Sequence, residues 1–159
     1  VTAYELGRDA RLAIAEMADA NGVADRINIE AECMFGDLYG KRALVICDIE
    51  GGEAELLIND LAGDAFGQSD FLIETHDLFR PEICQRLKTQ FDRTHHVTVI
   101  DAVPDEDRPA HWSLPELEML SGQRQSQVLG ERRGGPMQWL ICESRNEFPH
   151  RQLQRVNAA

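Results

Sequence analysis

The stretch that decides the fold is ALVICDIEGGEAELL, residues 43–57. Its first part, 43–49, is apolar almost without a break, which is typical of a strand covered on both faces in a parallel sheet. Two consecutive glycines then indicate a turn. The apolar residues that follow have helical spacing: Ala54, Leu57, Ile58 and Leu61. A buried strand that leads directly into a helix indicates an α/β fold.

Strand and helix signals alternate in both directions from this stretch. Further strands are predicted at residues 1–6, 26–35, 70–76, 96–103 and 136–143. Helices are predicted after the first strand and after Pro81, and a polar loop at residues 36–42. This alternation predicts a Rossmann-like, mostly parallel sheet flanked by helices. The last strand is expected to lie antiparallel near an edge.

Composition and charge limit the classes of partner. We predict one domain over residues 1–159, with a loop or lid containing one short helix at 104–135 and a polar tail at 150–159. The 28 acidic and 16 basic side chains give a net charge of −12, the wrong sign for a nucleic-acid-binding surface. No apolar run approaches the ~20 residues that cross a bilayer. We therefore expect a cytoplasmic protein with neither nucleic-acid nor membrane partners, and four buried free cysteines.

Ionisable side chains follow four of the predicted strands at the point where each strand ends. In strand order they are Glu5, then Glu32 and Cys33, then Asp48 and Glu50, then Glu74, His76 and Asp77. Ligands of open α/β sheets bind at these carboxyl ends. Carboxylates in close array raise one another's pKa, which is usually tolerated where a ligand, cation or proton relieves it. Helix capping by Asp48 or Glu50, and a hydrogen bond from His76 to Asp77, are the ordinary alternatives.

Three stretches resemble a known family. Residues 1–33, 43–57 and 71–79 are similar to the second half of a class I methyltransferase dependent on S-adenosylmethionine, closest to the FkbM-like group. The resemblance spans residue 1 to about 143. The D-x-E-G-x-E string of FkbM-like proteins corresponds here to Asp48, Glu50, Gly51 and Glu53. The resemblance implies a Rossmann-like fold and S-adenosylmethionine as cofactor.

The resemblance also implies a role for each strand-end residue. Glu5 would hold the ribose hydroxyls with Leu6 beside it, Glu32 and Cys33 would line the adenine, and Asp48 would face the methionine half of the cofactor. The acceptor would be surrounded by Glu50, Glu74 and His76. His76 is the candidate general base, because an unperturbed imidazole titrates near neutral pH. The implied reaction is methyl transfer to an oxygen of a small molecule or sugar.

The chain departs from this family in one respect. Class I methyltransferases carry a glycine-rich loop after a central first strand, and no G-x-G-x-G sequence follows a strand here. We therefore expect a fragment of a longer protein or a shortened relative, with two unpaired strand edges.

Two other functions stay open at this point. One is a non-catalytic binding or assembly module, completed by a second copy as a homodimer. The other is a metal-dependent hydrolase. For methyl transfer, an alternative to a base is that Asp48, Glu50 and Glu74 hold a hard divalent cation that orients an oxygen acceptor. No ligand spacing in the sequence is diagnostic of a metal site, so none is assigned.

Overall fold

The structure is a computed structural model that describes residues 1–59, 65–112, 114–130 and 137–146. Within these ranges the chain is mixed α/β. The strands are β1 (Thr2–Tyr4), β2 (Asn28–Glu30), β3 (Leu44–Cys47), β4 (Asp70–Thr75), β5 (His95–Asp101) and β6 (Gln138–Ser144). The α-helices are α1 (Arg8–Ala20), α2 (Phe35–Leu38), α3 (Glu53–Leu57), α4 (Ile83–Phe91), α5 (Arg108–His111) and α6 (Gly122–Leu129). Short 3₁₀ turns cover Ala24–Arg26 and Pro115–Leu117.

The described strands form two separate sheets. β1 and β2 make a parallel pair, whereas the other four strands lie in the order β3-β4-β6-β5. β3 runs parallel to β4, and β6 runs antiparallel to both β4 and β5. Three of the four strands therefore point the same way. The predicted α/β class and the late antiparallel strand are confirmed, and β6 lies one strand in from the edge that β5 forms.

The hydrophobic core lies between one face of the four-stranded sheet and the helices α3 and α4. It includes Leu57 of α3, Ile83 and Leu87 of α4, and Phe71, Ile73 and Leu140 of the sheet. Phe71 and Phe91 are in ring contact, with centroids 4.9 Å apart. Each fully buried aliphatic or aromatic side chain contributes about 1.5–3 kcal/mol. This packing fixes α3 against the carboxyl ends of β3 and β4.

The opposite face of the same sheet is open at β3. Leu44 and Ile46 alternate with Val45 and Cys47 along this strand, and each of the first two is 67% exposed. The prediction that residues 43–49 are covered on both faces is therefore wrong for the part of the chain that the structure describes. A continuous apolar run shows that both faces are apolar, but it does not show what packs on each of them.

Two predicted segments contain more helix than expected. The strand predicted at 26–35 ends at Glu30. α2 begins at Phe35, the last residue of that predicted strand, and continues into the predicted loop; the Met34 amide donates to the Asp37 carboxylate at 2.8 Å, which stabilises this turn. The predicted loop at 104–135 contains α5, a 3₁₀ turn and α6. Arg108 of α5 donates to the carbonyl of Leu129 at the end of α6 and to the carbonyl of Val103, each at 3.1 Å, and so links α5 to α6.

Other predictions fall outside the described residues or are partly confirmed. The tail at 150–159, residues 131–136 and Leu61 lie outside the described residues. All four cysteines are free; three are buried and Cys33 is half-buried. In the part of the chain that the structure describes, the helices are too short or too polar to cross a bilayer.

Candidate functional site

Five ionisable side chains converge where β3 and β4 end and α3 begins. They are Asp48, Glu50, Glu53, Glu74 and His76. Because β3 and β4 are parallel, their carboxyl ends lie at the same edge of the sheet. The expected gathering is therefore present for Asp48, Glu50, Glu74 and His76, with Glu53 as an additional member, but it does not include Glu5. We call these five residues the acidic cluster.

A buried pair lies at the centre of the acidic cluster. The side chains of His76 and Glu53 are both fully buried, and His76 Nδ1 lies 2.5 Å from Glu53 Oε1. The backbone amide of Gly51 donates to the same carboxylate oxygen at 3.3 Å. An ionised carboxylate only accepts hydrogen bonds, so the imidazole proton is held on Nδ1. In the neutral ring the other nitrogen, Nε2, carries a lone pair.

This second nitrogen of His76 faces two further carboxylates. Nε2 lies 3.2 Å from Glu50 Oε2 and 3.5 Å from Asp48 Oδ1. Among the described residues, Nε2 and Glu53 Oε2 are buried atoms without a hydrogen-bond partner. Leaving such a buried atom unsatisfied costs about 1–3 kcal/mol. Unsatisfied buried atoms of this kind indicate an incomplete site, which a ligand or ion would complete.

The turn between β3 and α3 brings Glu50 to this position through unusual backbone geometry. Glu50 has φ +52° and Gly51 has φ +97°. A Cβ on Gly51 would lie 3.1 Å from the Cβ of Phe79, so glycine is required by both conformation and space. The left-handed conformation costs a residue with a side chain about 1–2 kcal/mol. Strained residues of this kind cluster at functional sites.

The ordinary explanations for these residues are not supported. The residue that caps α3 is Gly52, and no side chain makes a capping hydrogen bond there, so Asp48 and Glu50 are not caps of this helix. The carboxylate of Asp77 accepts from the Cys84 amide at 2.8 Å, at the start of α4. The interpretation of His76 as a partner of Asp77 is therefore wrong. The imidazole stacks instead on Phe79, with ring centroids 5.9 Å apart.

A cysteine at the end of β3 takes no part as a nucleophile. Burial, with a smaller effect of the nearby Glu53 carboxylate, raises the pKa of Cys47 to about 12. The thiol is therefore protonated at physiological pH. Since the thiolate is the reactive form, Cys47 provides packing rather than covalent chemistry.

The predicted ribose ligand lies on the two-stranded sheet. Glu5 directly follows β1, and its Oε1 accepts from the Gly7 amide at 2.6 Å. The Arg11 guanidinium donates to the carbonyls of Glu5 and Leu6, which fixes the turn into α1. Leu6 is 75% exposed. The structure shows no contact between Glu5 and the acidic cluster within the described residues.

The predicted adenine-lining residues follow β2. Glu32 is exposed, whereas Cys33 is half-buried and packs against the core. The core cluster that Cys33 packs against includes Cys47 at the end of β3. Burial, and to a smaller extent Asp37, raises the pKa of Cys33 itself. The ligand roles of Glu5, Leu6, Glu32 and Cys33 remain predictions.

Glu53 is the member of the acidic cluster that was not among the candidate site residues from the sequence. It is part of the D-x-E-G-x-E string, but an acid in the first turn of a helix ordinarily lies in solvent. The sequence signal for Glu53 was the D-x-E-G-x-E string, because Glu53 directly follows the turn that carries Asp48 and Glu50.

Comparisons with known proteins name no relative. No model of a known protein family matches the chain, and no curated protein is similar to it in sequence.

Proposed function

We propose that the protein is a methyltransferase that uses S-adenosylmethionine to methylate an oxygen of a small molecule or sugar. The observation that carries the proposal is the grouping of the strands around the acidic cluster. In the doubly wound order 3-2-1-4-5, the first strand lies between the second and the fourth. Without that first strand, strands 3 and 2 of the order form one pair, and strands 4 and 5 begin a second sheet. In this comparison β1 and β2 correspond to strands 2 and 3, and β3 and β4 correspond to strands 4 and 5. The parallel β1–β2 pair and the parallel β3–β4 pair have this grouping.

The open face of the four-stranded sheet supports the same fold. Rossmann-like sheets are covered by helices on both faces. Here α3 and α4 cover one face, and Leu44 and Ile46 are exposed on the other. A fold of this type supplies a second helical layer at that position.

The cofactor would lie across the carboxyl ends of β1, β2 and β3. Glu5 is proposed to accept hydrogen bonds from the ribose hydroxyls, since one carboxylate can accept from both. Glu32 and Cys33 would line the adenine, with Leu6 beside the ribose. Asp48 follows β3 and would face the methionine half.

The acceptor would lie against the exposed carboxylates of the acidic cluster. The side chains of Asp48 and Glu50 are 47% and 72% exposed, whereas Nε2 of His76 is buried. We therefore propose that Glu50, in place of the buried His76, lies nearest the acceptor hydroxyl and accepts its proton. His76 and the buried Glu74 position the two exposed acids. Methyl transfer gains much of its rate from such positioning.

Calorimetric titration of the full-length gene product with S-adenosylmethionine tests the proposal. Glu5→Gln keeps one acceptor oxygen for the Gly7 amide but loses the charge, and we expect cofactor affinity to fall about tenfold to a hundredfold. Glu16→Gln, an exposed acid on α1, is the matched control and should bind like the wild type. The absence of any cofactor binding by the wild-type protein would refute the proposal.

A second candidate function rests on the exposed residues of β3. A non-catalytic assembly module would cover Leu44 and Ile46 with a second copy of the chain. Size-exclusion chromatography with light scattering distinguishes the two functions. A monomer that binds S-adenosylmethionine supports the methyltransferase, whereas a dimer that does not bind it supports the assembly module.

A further inference from the structure

We propose that Asp48, Glu74 and His76 bind a divalent cation, with Glu53 holding the imidazole in the ligating orientation. Each of the three residues offers one ligand atom, and these atoms all lie within 4.8 Å of one another. This site goes beyond methyl transfer, because it requires neither the cofactor nor the acceptor to form.

The spacing around His76 fits a shared ion. Nitrogen and oxygen ligands bind small divalent ions at about 2.0–2.2 Å, so neighbouring ligands around one ion lie about 2.8–3.6 Å apart in octahedral or tetrahedral geometry. The distances from Nε2 to Glu50 Oε2 and Asp48 Oδ1 are 3.2 and 3.5 Å. Nε2 makes no hydrogen bond with either oxygen or with any other described residue. An ion bound by Nε2 and Asp48 Oδ1 would give this nitrogen the partner that it lacks, and Glu50 would lie beside the ion.

The contact on the other side of the imidazole is the one that metal-binding histidines make. Such histidines usually donate their second ring N–H to a carboxylate, which fixes the tautomer and makes the ligating nitrogen more basic. Glu53 Oε1 occupies that position, at 2.5 Å from Nδ1. Both side chains are fully buried, so the orientation of the ring is set by packing as well as by the hydrogen bond.

Electrostatics gives an independent reason for a cation. Nε2 lies beside the carboxylates of Asp48 and Glu50, and these two carboxylates repel each other. The cluster also places buried Glu74 next to Asp48 and His76. A divalent ion turns each of these repulsions into an attraction.

The ligand set indicates the class of ion. One imidazole nitrogen with carboxylate oxygens suits first-row transition ions such as Mn²⁺ better than Ca²⁺, which prefers oxygen ligands only. The exposed carboxylates of Asp48 and Glu50 leave the solvent side accessible to a further oxygen ligand. An acceptor hydroxyl bound there would have its pKa lowered by the ion, which would assist proton transfer to Glu50.

Calorimetric titration of the chelator-treated full-length protein with MnCl₂, without S-adenosylmethionine, tests the site. We expect one Mn²⁺ per chain and a signal from protein-bound Mn²⁺ in electron paramagnetic resonance. Asp48→Asn and His76→Gln should weaken binding by roughly a hundredfold or more, and Glu53→Gln by about 10–100-fold. Glu55→Gln, an exposed acid on the same helix as Glu53, is the control and should bind like the wild type.

Two results would overturn the proposal: no Mn²⁺ binding by the folded wild-type protein, or unchanged binding by Asp48→Asn. The Asp48 side chain is 47% exposed, so this variant keeps the test decisive if the buried His76→Gln fails to fold. Because Mn²⁺ is titrated alone, failure of the S-adenosylmethionine titration would refute the proposed function without affecting this site.

Discussion

The backbone strain at Glu50 can be measured with a pair of substitutions. Glu50→Gly and Glu50→Ala both remove the carboxylate, but only alanine retains the Cβ that disfavours φ +52°. The left-handed penalty is about 1–2 kcal/mol, and glycine loses about 0.4–1 kcal/mol through the greater freedom of the unfolded chain. Glu50→Gly should therefore be more stable than Glu50→Ala by about 0.5–1 kcal/mol.

The same pair at an ordinary helical site should show the opposite order. Glu16 is exposed in the middle of α1, where glycine is less stable than alanine by about 0.8–1 kcal/mol. Urea unfolding followed by circular dichroism, in buffer with chelator, measures both pairs. A difference of about 1 kcal/mol corresponds to roughly 2–4 °C in melting temperature for a chain of this size.

Equal stability of Glu50→Ala and Glu50→Gly, with the Glu16 pair behaving normally, would refute this reasoning. That outcome would mean that the turn relaxes freely and that Glu50 is not held toward His76.

Two further predictions concern groups outside the acidic cluster. Burial lowers the pKa of His95, so the unfolded chain takes up its proton more readily and stability should fall as the pH drops below about 6.5. Urea midpoints at about pH 7.5 and about pH 5.5 should show this loss of stability in the wild type and in the control His96→Gln, whose imidazole is exposed. The loss should be much smaller in His95→Gln. An equal loss in all three proteins would contradict the assignment of this pH dependence to His95. Burial raises the pKa of Cys47 and of Cys142 to about 12. A thiol reagent should therefore modify half-buried Cys33 first, and Cys47 and Cys142 only as the protein unfolds. Peptide mapping at successive times measures this order. Rapid modification of Cys47 in the folded protein would contradict its buried placement.

The sequence was sufficient to predict the edge where the acidic cluster lies. Residues that end neighbouring parallel strands must come together, so Asp48, Glu74 and His76 could be placed from the strand pattern alone. The helix α3 also begins where the glycines of the turn indicated. These features depend on local pattern and on the period of the strand, which the sequence records directly.

Other features depend on tertiary packing, which the sequence records poorly. The burial of Glu53 arises because α3 packs against the ends of β3 and β4, and nothing in an exposed-looking acid at a helix start shows this. The exposure of Leu44 and Ile46 depends on what covers that face of β3. Likewise, α2 begins at Phe35 because the Asp37 carboxylate accepts from the Met34 amide, a contact without the usual serine or threonine signal.

A crystal structure of the full-length protein with S-adenosylhomocysteine tests the central claim most directly. We expect the ribose hydroxyls to contact Glu5 and the sulfur end of the ligand to point toward Asp48 and Glu50. Ligand density elsewhere on the molecule, with the carboxyl ends of β1 and β3 empty, would contradict the proposed cofactor site.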